Sequence, residues 1–540
     1  MTFPDRLSGD PLVEHDSFVG SSVATCGGQS THSRSLDFVD LHNFVHLSGA
    51  PNYKDCRVPL PTSLNMTKWR EYLKDYDDKV VCKYLEFGWP VGYDYERFGF
   101  PASERRNHAG ATQFPEEISA YLHEEILRGA VAGPFSTVPF TRGMALSPLN
   151  SVPKRDSDER RVILDLSWPL ASSVNAGIDK DIYEGLHYHL SYPTVDQIAE
   201  LIVQKGRGCL IYKCDLKRAY RQFPVDPRDY PLLGYSWNNA FFFDVVLPVG
   251  LRPAALACQR VTSAVVFVCE TRGYDLLNYL DDFMGIEPAC TAQEAFQYLR
   301  FLLRDLGLVE STNKACPPGT RRTCLGVEFD TIQMAISVTA DRLRELTQLL
   351  DLWLVKDKVT KRQLQSLIGK LSFVCKCVRQ SRIFLIRLLD LLGTLRHNHH
   401  RATLTAECKK DIRWWAEFLY IYNGVSIINR SPWTLPDAVF STDACLTGCG
   451  GIADNRYFHA RFPDWILQTY TAIHQLECLA IVVAVSIWGA RWRGQRLRVY
   501  CDNEAVVAVL NTGRTKDKLL AHCLRNLCDQ RDRVGGRSFV

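Results

Sequence analysis

Two adjacent aspartates, Asp281 and Asp282, end the tetrapeptide Tyr279-Leu280-Asp281-Asp282 between the apolar stretch Tyr274 to Leu277 and Phe283-Met284-Gly285-Ile286. Apolar runs on both sides predict a tight hairpin with the two carboxylates at its tip. Paired acids in a turn usually mean only a solvated loop. A third acid alters the weighing, because Asp215 lies 66 residues before Asp281, after the run Cys209 to Lys213 and before Leu216-Lys217-Arg218-Ala219-Tyr220. Carboxylates converging from separate strands repel one another, so such a cluster is unfavourable until cations share it. Magnesium takes hard oxygen ligands, and two such ions roughly 3.5–4 Å apart support phosphoryl transfer from a nucleoside triphosphate. For that chemistry Asp215 and Asp281 are the expected bridging ligands, with Asp282 completing or supporting the set.

A second set of acids lies near the end of the chain. Val439-Phe440-Ser441-Thr442-Asp443 reads as a strand ending in an acid and is followed by Gly448, Gly450 and Gly451. Glu477 opens a strongly apolar helix, and Asp502 follows the strand Leu497 to Cys501 and leads into a helix from Glu504 to Leu510. Each acid alone is most simply a surface charge. The ordered triple is a candidate for a second two-magnesium site.

The elements that must position these residues are legible in outline. A helix is predicted from Pro115 to Arg128, with proline in its first turn, acids behind it and Gly129 at its exit. Ile118, Tyr121, Leu122, Ile126 and Leu127 mark its buried side. From Ser147 to Asp330 short apolar strands alternate with helices, among them Val162-Ile163-Leu164, Cys209 to Tyr212 and Ala240 to Phe243, which predicts an α+β arrangement with a central sheet. From Ala340 to Tyr422 the pattern is helical, with Leu343, Leu346, Leu349, Leu350 and Trp353 on one packed stripe. A linker, Asn429 to Pro436, precedes a second α/β segment. The domains expected are an unstructured segment (1–80), an extension (81–146), an α+β body (147–335), a helical segment (336–430) and the α/β segment (437–540).

Composition sets the class. A chain of 540 residues, 46% hydrophobic and 23% charged, is long enough for three or four globular domains. No apolar run is read as reaching the ~18–20 residues of a bilayer span, and Met1 to Ala50 lacks a basic-then-apolar signal. A soluble, intracellular protein, cytoplasmic or nuclear, without a membrane partner, is therefore expected. The 19 cysteines are scattered without a paired CxxC, which favours reduced core thiols over a zinc site. Net charge is only +4, but Asp351 to Arg430 holds 15 Lys/Arg against 6 Asp/Glu, a net of +9 that leaves −5 for the remainder. That basic helical segment is a candidate phosphate-backbone surface.

The run from Ser147 to Asp330 resembles a retroelement reverse transcriptase in its ordered motifs. Ser147-Pro148-Leu149 to Lys154 and Arg160 to Leu166 resemble the fingers motifs, and the resemblance puts Lys154 and Arg161 on the incoming triphosphate. Asp215 to Tyr220 resembles the first metal motif, with Tyr220 where the family excludes a ribose 2′-hydroxyl. Leu247-Pro248-Val249-Gly250-Leu251-Arg252 to Gln259 resembles the template-contacting motif, in which Gly250 allows close backbone approach and Gln259 is a polar support. Lys314 resembles the later lysine near the triphosphate, and Cys324 to Phe329 the hairpin that holds the primer end.

Leu-Pro-x-Gly-Leu-Arg, Tyr-Leu-Asp-Asp-Phe, the run Arg362 to Leu371, Trp414-Trp415 and Tyr422 to Ser426 are most similar to the DIRS-type (tyrosine-recombinase) retrotransposon lineage. The resemblance implies a right-hand polymerase of fingers, palm and thumb that extends a DNA primer on an RNA template with deoxynucleoside triphosphates. Magnesium is the implied cofactor, with manganese able to substitute. The basic segment is then thumb and connection, lying on the primer–template duplex.

Asp443, Glu477 and Asp502 follow the carboxylate order of the ribonuclease H fold, whose substrate is the RNA strand of an RNA–DNA hybrid. The family carries a further acid or histidine in a last strand and helix, so the domain is expected to be incomplete where the chain stops after Leu527. A decayed or domesticated relic that binds nucleic acid without catalysis is the competing reading. The presence of Asp215, Asp281, Asp282, Lys154, Arg161, Tyr220 and Gln259 speaks for activity.

Overall fold

Leu210, Ile211, Tyr212 and Cys214 make Leu210–Asp215 a mostly apolar strand, with buried positions on both of its faces. In the computed structural model, residues 31–48 and 58–534 are described, except 105, 155–158, 398, 429–435, 471, 493–494 and 496. The chain divides into two compact units, Met1–His189 with Arg218–Arg260, and Leu190–Lys217 with Val261–Val540.

In the second unit, Leu210–Asp215 lies inside a four-stranded antiparallel sheet ordered Cys316–Gly319, Leu210–Asp215, Asp282–Glu287, Leu276–Tyr279. Helix Val195–Lys205 presents Ile198 and Ile202 to the core, and a capping box between Thr194 and Gln197 fixes its start. Helix Ala292–Asp305 supplies Phe296, Leu299, Leu302 and Leu303, with the Phe296 ring edge-on to Tyr212 at 5.7 Å. Gly285 is obligatory, since a Cβ there would meet the Tyr212 ring at 2.0 Å.

Strands Arg321–Cys324, Val327–Asp330, Ala335–Ser337 and Val425–Ile427 form a second antiparallel sheet. Helices Ala340–Leu354, Lys361–Cys377, Ile386–Gly393 and Ala406–Ile421 follow the predicted helical stretch and bury Trp353 and Trp415. The C-terminal sheet has the order Arg456–Arg461, Gly448–Ala453, Ala438–Ala444, Leu497–Tyr500, with only the last pair parallel. Helix Ile473–Trp488 packs on it. One continuous apolar core runs from Ile198 and Ile211 through Trp353 and Trp415 to Phe440, Trp488 and Leu524.

In the first unit, strands Val131–Phe135, Ala240–Asp244 and Gly234–Trp237 form an antiparallel sheet, and Leu149–Pro153 pairs with Arg160–Leu164 as a hairpin. Helix Pro115–Leu127 starts with proline in its first turn, as predicted.

Two expectations need correction. Residues 1–80 were expected to be unstructured, yet Thr31–Ser48 and Met66–Tyr72 are helices. The first packs through Ser35, Val39, His42 and Val45, a stripe so narrow and so polar that hydrophobic periodicity is nearly invisible. Ser35 Oγ donates to the Gly133 carbonyl at 3.1 Å, which makes a serine part of the packed face. Residues 1–30 and 49–57 lie outside the described residues. The second correction concerns bilayer-length apolar runs: Ile473–Trp492 qualifies by length and composition, with half of it buried inside the fold. Its apolar character follows from packing against the C-terminal sheet.

Candidate active sites

Antiparallel pairing brings the first three acids together. Asp282 stands directly opposite Asp215 across the strands Asp282–Glu287 and Leu210–Asp215, and it also pairs with Tyr279 across the hairpin. Leu280 and Asp281 therefore form a two-residue turn, with Leu280 left-handed at φ 55°. A leucine held there costs of order 1–3 kcal/mol, which the surrounding sheet must offset. The predicted hairpin is present, with Asp281 in the turn and Asp282 starting the returning strand. The turn is tied down from outside, because the Leu216 N–H donates to the Asp281 carbonyl at 3.0 Å.

Two lysines face the acids. The Lys314 ammonium lies 3.1 and 3.3 Å from the two oxygens of Asp215, and Lys213 Nζ is 3.8 Å from Asp282 Oδ1. Burial raises the Asp281 and Asp282 carboxyls above the usual range, and Asp215 pushes both the same way while the two lysines oppose it for Asp281 and Lys213 for Asp282. Lys213 escaped the sequence reading. It precedes Asp215 by two residues in the same strand, so period-2 alternation puts both on one face and would have found it.

Lys154, Arg161, Tyr220, Gly250 and Gln259 belong to the first unit. Lys154 and Arg161 share the hairpin Leu149–Pro153/Arg160–Leu164, where Lys154 Nζ donates to Glu159 at 2.5 Å and Arg161 is exposed. Tyr220 sits in the short 3-10 helix Ala219–Gln222. An ion network flanks it, in which buried Glu125 (1% exposed) holds both Arg218 and Arg221 and the Asp244 carboxylate lies 2.8 Å from the Arg221 guanidinium. Gly250 has φ 97°, a conformation glycine adopts without strain, and a Cβ there would meet only ordinary contact at 3.7 Å. Buried Asn175 clamps that turn, donating to the Gly250 carbonyl at 2.8 Å and accepting from the Arg252 N–H at 2.8 Å. Gln259 is buried on helix Ala254–Glu270. Glu125 and Asn175 carried no signal in the sequence.

The C-terminal acids Asp443, Glu477 and Asp502 are neighbours in the fold. Asp443 is exposed on strand Ala438–Ala444, and Glu477 is buried at 2% exposure on the helix beneath it. Glu477 Oε1 accepts from the Ala444 N–H at 3.0 Å, while Oε2 has no hydrogen-bond partner. Burial, with Asp502 and Asp443 nearby, pushes the Glu477 carboxyl up to about 7. Glu477, Asp502 and Cys501 each place a ligand atom within 4.8 Å of the other two. Among the described residues this is the one group of three or more His, Cys, Asp or Glu side chains so close, and it contains Cys501 in place of Asp443. Both clusters gather acidic oxygens that a cation could share: Asp215, Asp281 and Asp282 in the first, and Glu477, with an unpartnered buried oxygen, beside Asp502 in the second.

The basic helical segment partly neutralises itself. Lys370 pairs with Glu345, Lys409 with Asp357, and Arg387 with Glu407 and Asp411. Lys358, Arg362, Arg396, Arg401 and Arg413 stay exposed without an ion pair among the described residues.

No family model and no curated protein matches the sequence. Solved structures do match. A foamy viral protease-reverse transcriptase (dRH) in complex with double-stranded DNA has TM-score 0.51 and 14% identity, covering 91% of this chain and 84% of that one. The foamy viral protease-reverse transcriptase with double-stranded DNA gives TM-score 0.49 at 14% identity over 90% of this chain and 98% of that one. With an RNA/DNA hybrid the values are 0.47 and 15% over 89% and 63%. The first of these likenesses assigns the fold, which is reverse-transcriptase-like, with 46% of residues helical and 21% in strands.

Proposed function

We propose that the chain is an RNA-directed DNA polymerase of the DIRS-type retrotransposon lineage, with an attached ribonuclease H-like domain. The observation that carries this reading is the pairing of Asp215 with Asp282 across two central strands, with Asp281 in the adjoining turn. Asp215, Asp281 and Asp282 would hold magnesium or manganese, which when bound would neutralise the triphosphate and activate the primer hydroxyl. Lys314, whose ammonium rests on Asp215, is available to a phosphate once cations occupy that carboxylate. Lys154 and Arg161 would grip the triphosphate, and Tyr220 would exclude a ribose 2′-hydroxyl. Gly250 and Gln259 would support the template.

The fingers and palm would span 147–335, and the helical thumb and connection 336–430. There Lys358, Arg362, Arg396 and Arg401 offer phosphate contacts that carry no sequence information. The double-stranded DNA complex of the foamy viral enzyme supports a nucleic-acid duplex as partner, and the partners proposed here are an RNA template, a DNA primer and their hybrid. In the domain at 437–540, Asp443, Glu477 and Asp502 would act on the RNA strand of the hybrid.

The test is primer extension by the purified chain on an RNA template with magnesium and deoxynucleotides. Asp281→Asn is expected to abolish extension while hybrid binding stays within about twofold. Normal extension by that variant would remove the metal assignment.

A further inference from the structure

Cys501 lies just past strand Leu497–Tyr500, which runs parallel to Ala438–Ala444 with Tyr500 opposite Ser441. Strand alternation sends Tyr500 outward, where it is 57% exposed, and turns Val499 and Cys501 toward the core-facing side. That side is the one covered by helix Ile473–Trp488, which carries Glu477. The thiol thus arrives beside a carboxylate from below and the Asp502 carboxylate next in sequence, all within 4.8 Å. Glu477 brings the independent sign of a ligand: a fully buried side chain whose Oε2 has no partner. Asp502 is exposed and Cys501 half-buried, so the opening for an ion is on the solvent side.

We propose that Cys501, with Glu477 and Asp502, forms a binding site for a thiophilic divalent cation of the zinc class, one that competes with magnesium at the C-terminal acids. Magnesium takes hard oxygen ligands and gains nothing from sulfur, whereas zinc and cobalt bind thiolate well. Binding exchanges the Cys501 S–H bond for a metal–sulfur bond and releases the proton to solvent. No electron is transferred. The site rests on the ribonuclease H-like reading only for its consequence, since an ion held by sulfur would occupy the acids needed for hybrid cleavage.

The experiment is titration of the full chain with cobalt(II) alone, following thiolate-to-cobalt charge-transfer absorption. The expected result is a saturable band in the parent and in Cys290→Ser, which removes an exposed thiol elsewhere. In Cys501→Ser and Cys501→Ala the band should be lost and cobalt affinity should fall about tenfold or more. A band that persists in both Cys501 variants, or no thiolate band in the parent, overturns the proposal. Magnesium-dependent hybrid cleavage and its loss in Asp443→Asn are read separately. A chain with the band but no cleavage keeps the metal site and loses the nuclease reading; cleavage without the band does the reverse.

Discussion

Glu477→Gln tests the electrostatics of the C-terminal cluster. The carboxyl is buried, accepts one hydrogen bond from Ala444, and has been moved from 4.5 to about 7 by burial and by Asp502 and Asp443. Such a group binds its proton more tightly in the folded chain than in the unfolded one. Its favourable contribution is complete below pH 4.5 and is lost as pH rises through about 7. The shift corresponds to about 3 kcal/mol at pH 8 and less than about 1 kcal/mol at pH 5. Glutamine keeps the Oε1 acceptor and puts an N–H₂ donor where Oε2 now has no partner, facing neighbouring carboxylates. In chelator, urea unfolding followed by tryptophan fluorescence should show the variant gaining about 2–3 kcal/mol over the parent between pH 5 and pH 8. Equal stability of variant and parent at both pH values would refute the argument, because it would mean that Glu477 ionises without cost in the fold.

Tyr220→Ala should relax rejection of ribonucleotides, read as the ratio of ATP to dATP incorporation in primer extension; an unchanged ratio would make Tyr220 only a packed ring. Glu125→Gln withdraws the charge shared by Arg218 and Arg221 and should cost about 3–5 kcal/mol of unfolding free energy, seen as a lower urea midpoint. An unmoved midpoint would show that Asp244 alone satisfies Arg221. Lys358→Ala should weaken duplex binding equally across sequences and reduce the salt slope by about one; an unchanged slope would take Lys358 off the phosphate surface.

What was legible in the sequence had local causes. Asp215, Asp281 and Asp282 stand at the ends of apolar strands, and strand ends are visible as a change from apolar to charged residues. Helix Pro115–Leu127 announces itself with proline and two acids in its first turn. The rest depends on contacts far apart in the chain. Glu125 looks like one of several acids on a surface helix, and only the fold brings Arg218 and Arg221, over 90 residues away, onto it. Cys501 was judged by its spacing to other cysteines and histidines, whereas its neighbour Glu477 lies on a different element. Helix Thr31–Ser48 was missed because a serine and a histidine do part of its packing, through hydrogen bonds that hydrophobic periodicity does not register.

The apolar core from Ile211 to Leu524 has a consequence for how damage spreads. A strand bearing Asp215 and a helix bearing Glu477 share one interior, to which the fully buried Trp415 also belongs. Truncating such a side chain leaves a void that its neighbours fill only in part. A lesion in the middle of this interior is therefore inherited by both acid clusters at once, although Asp215 and Glu477 lie more than two hundred residues apart in the chain.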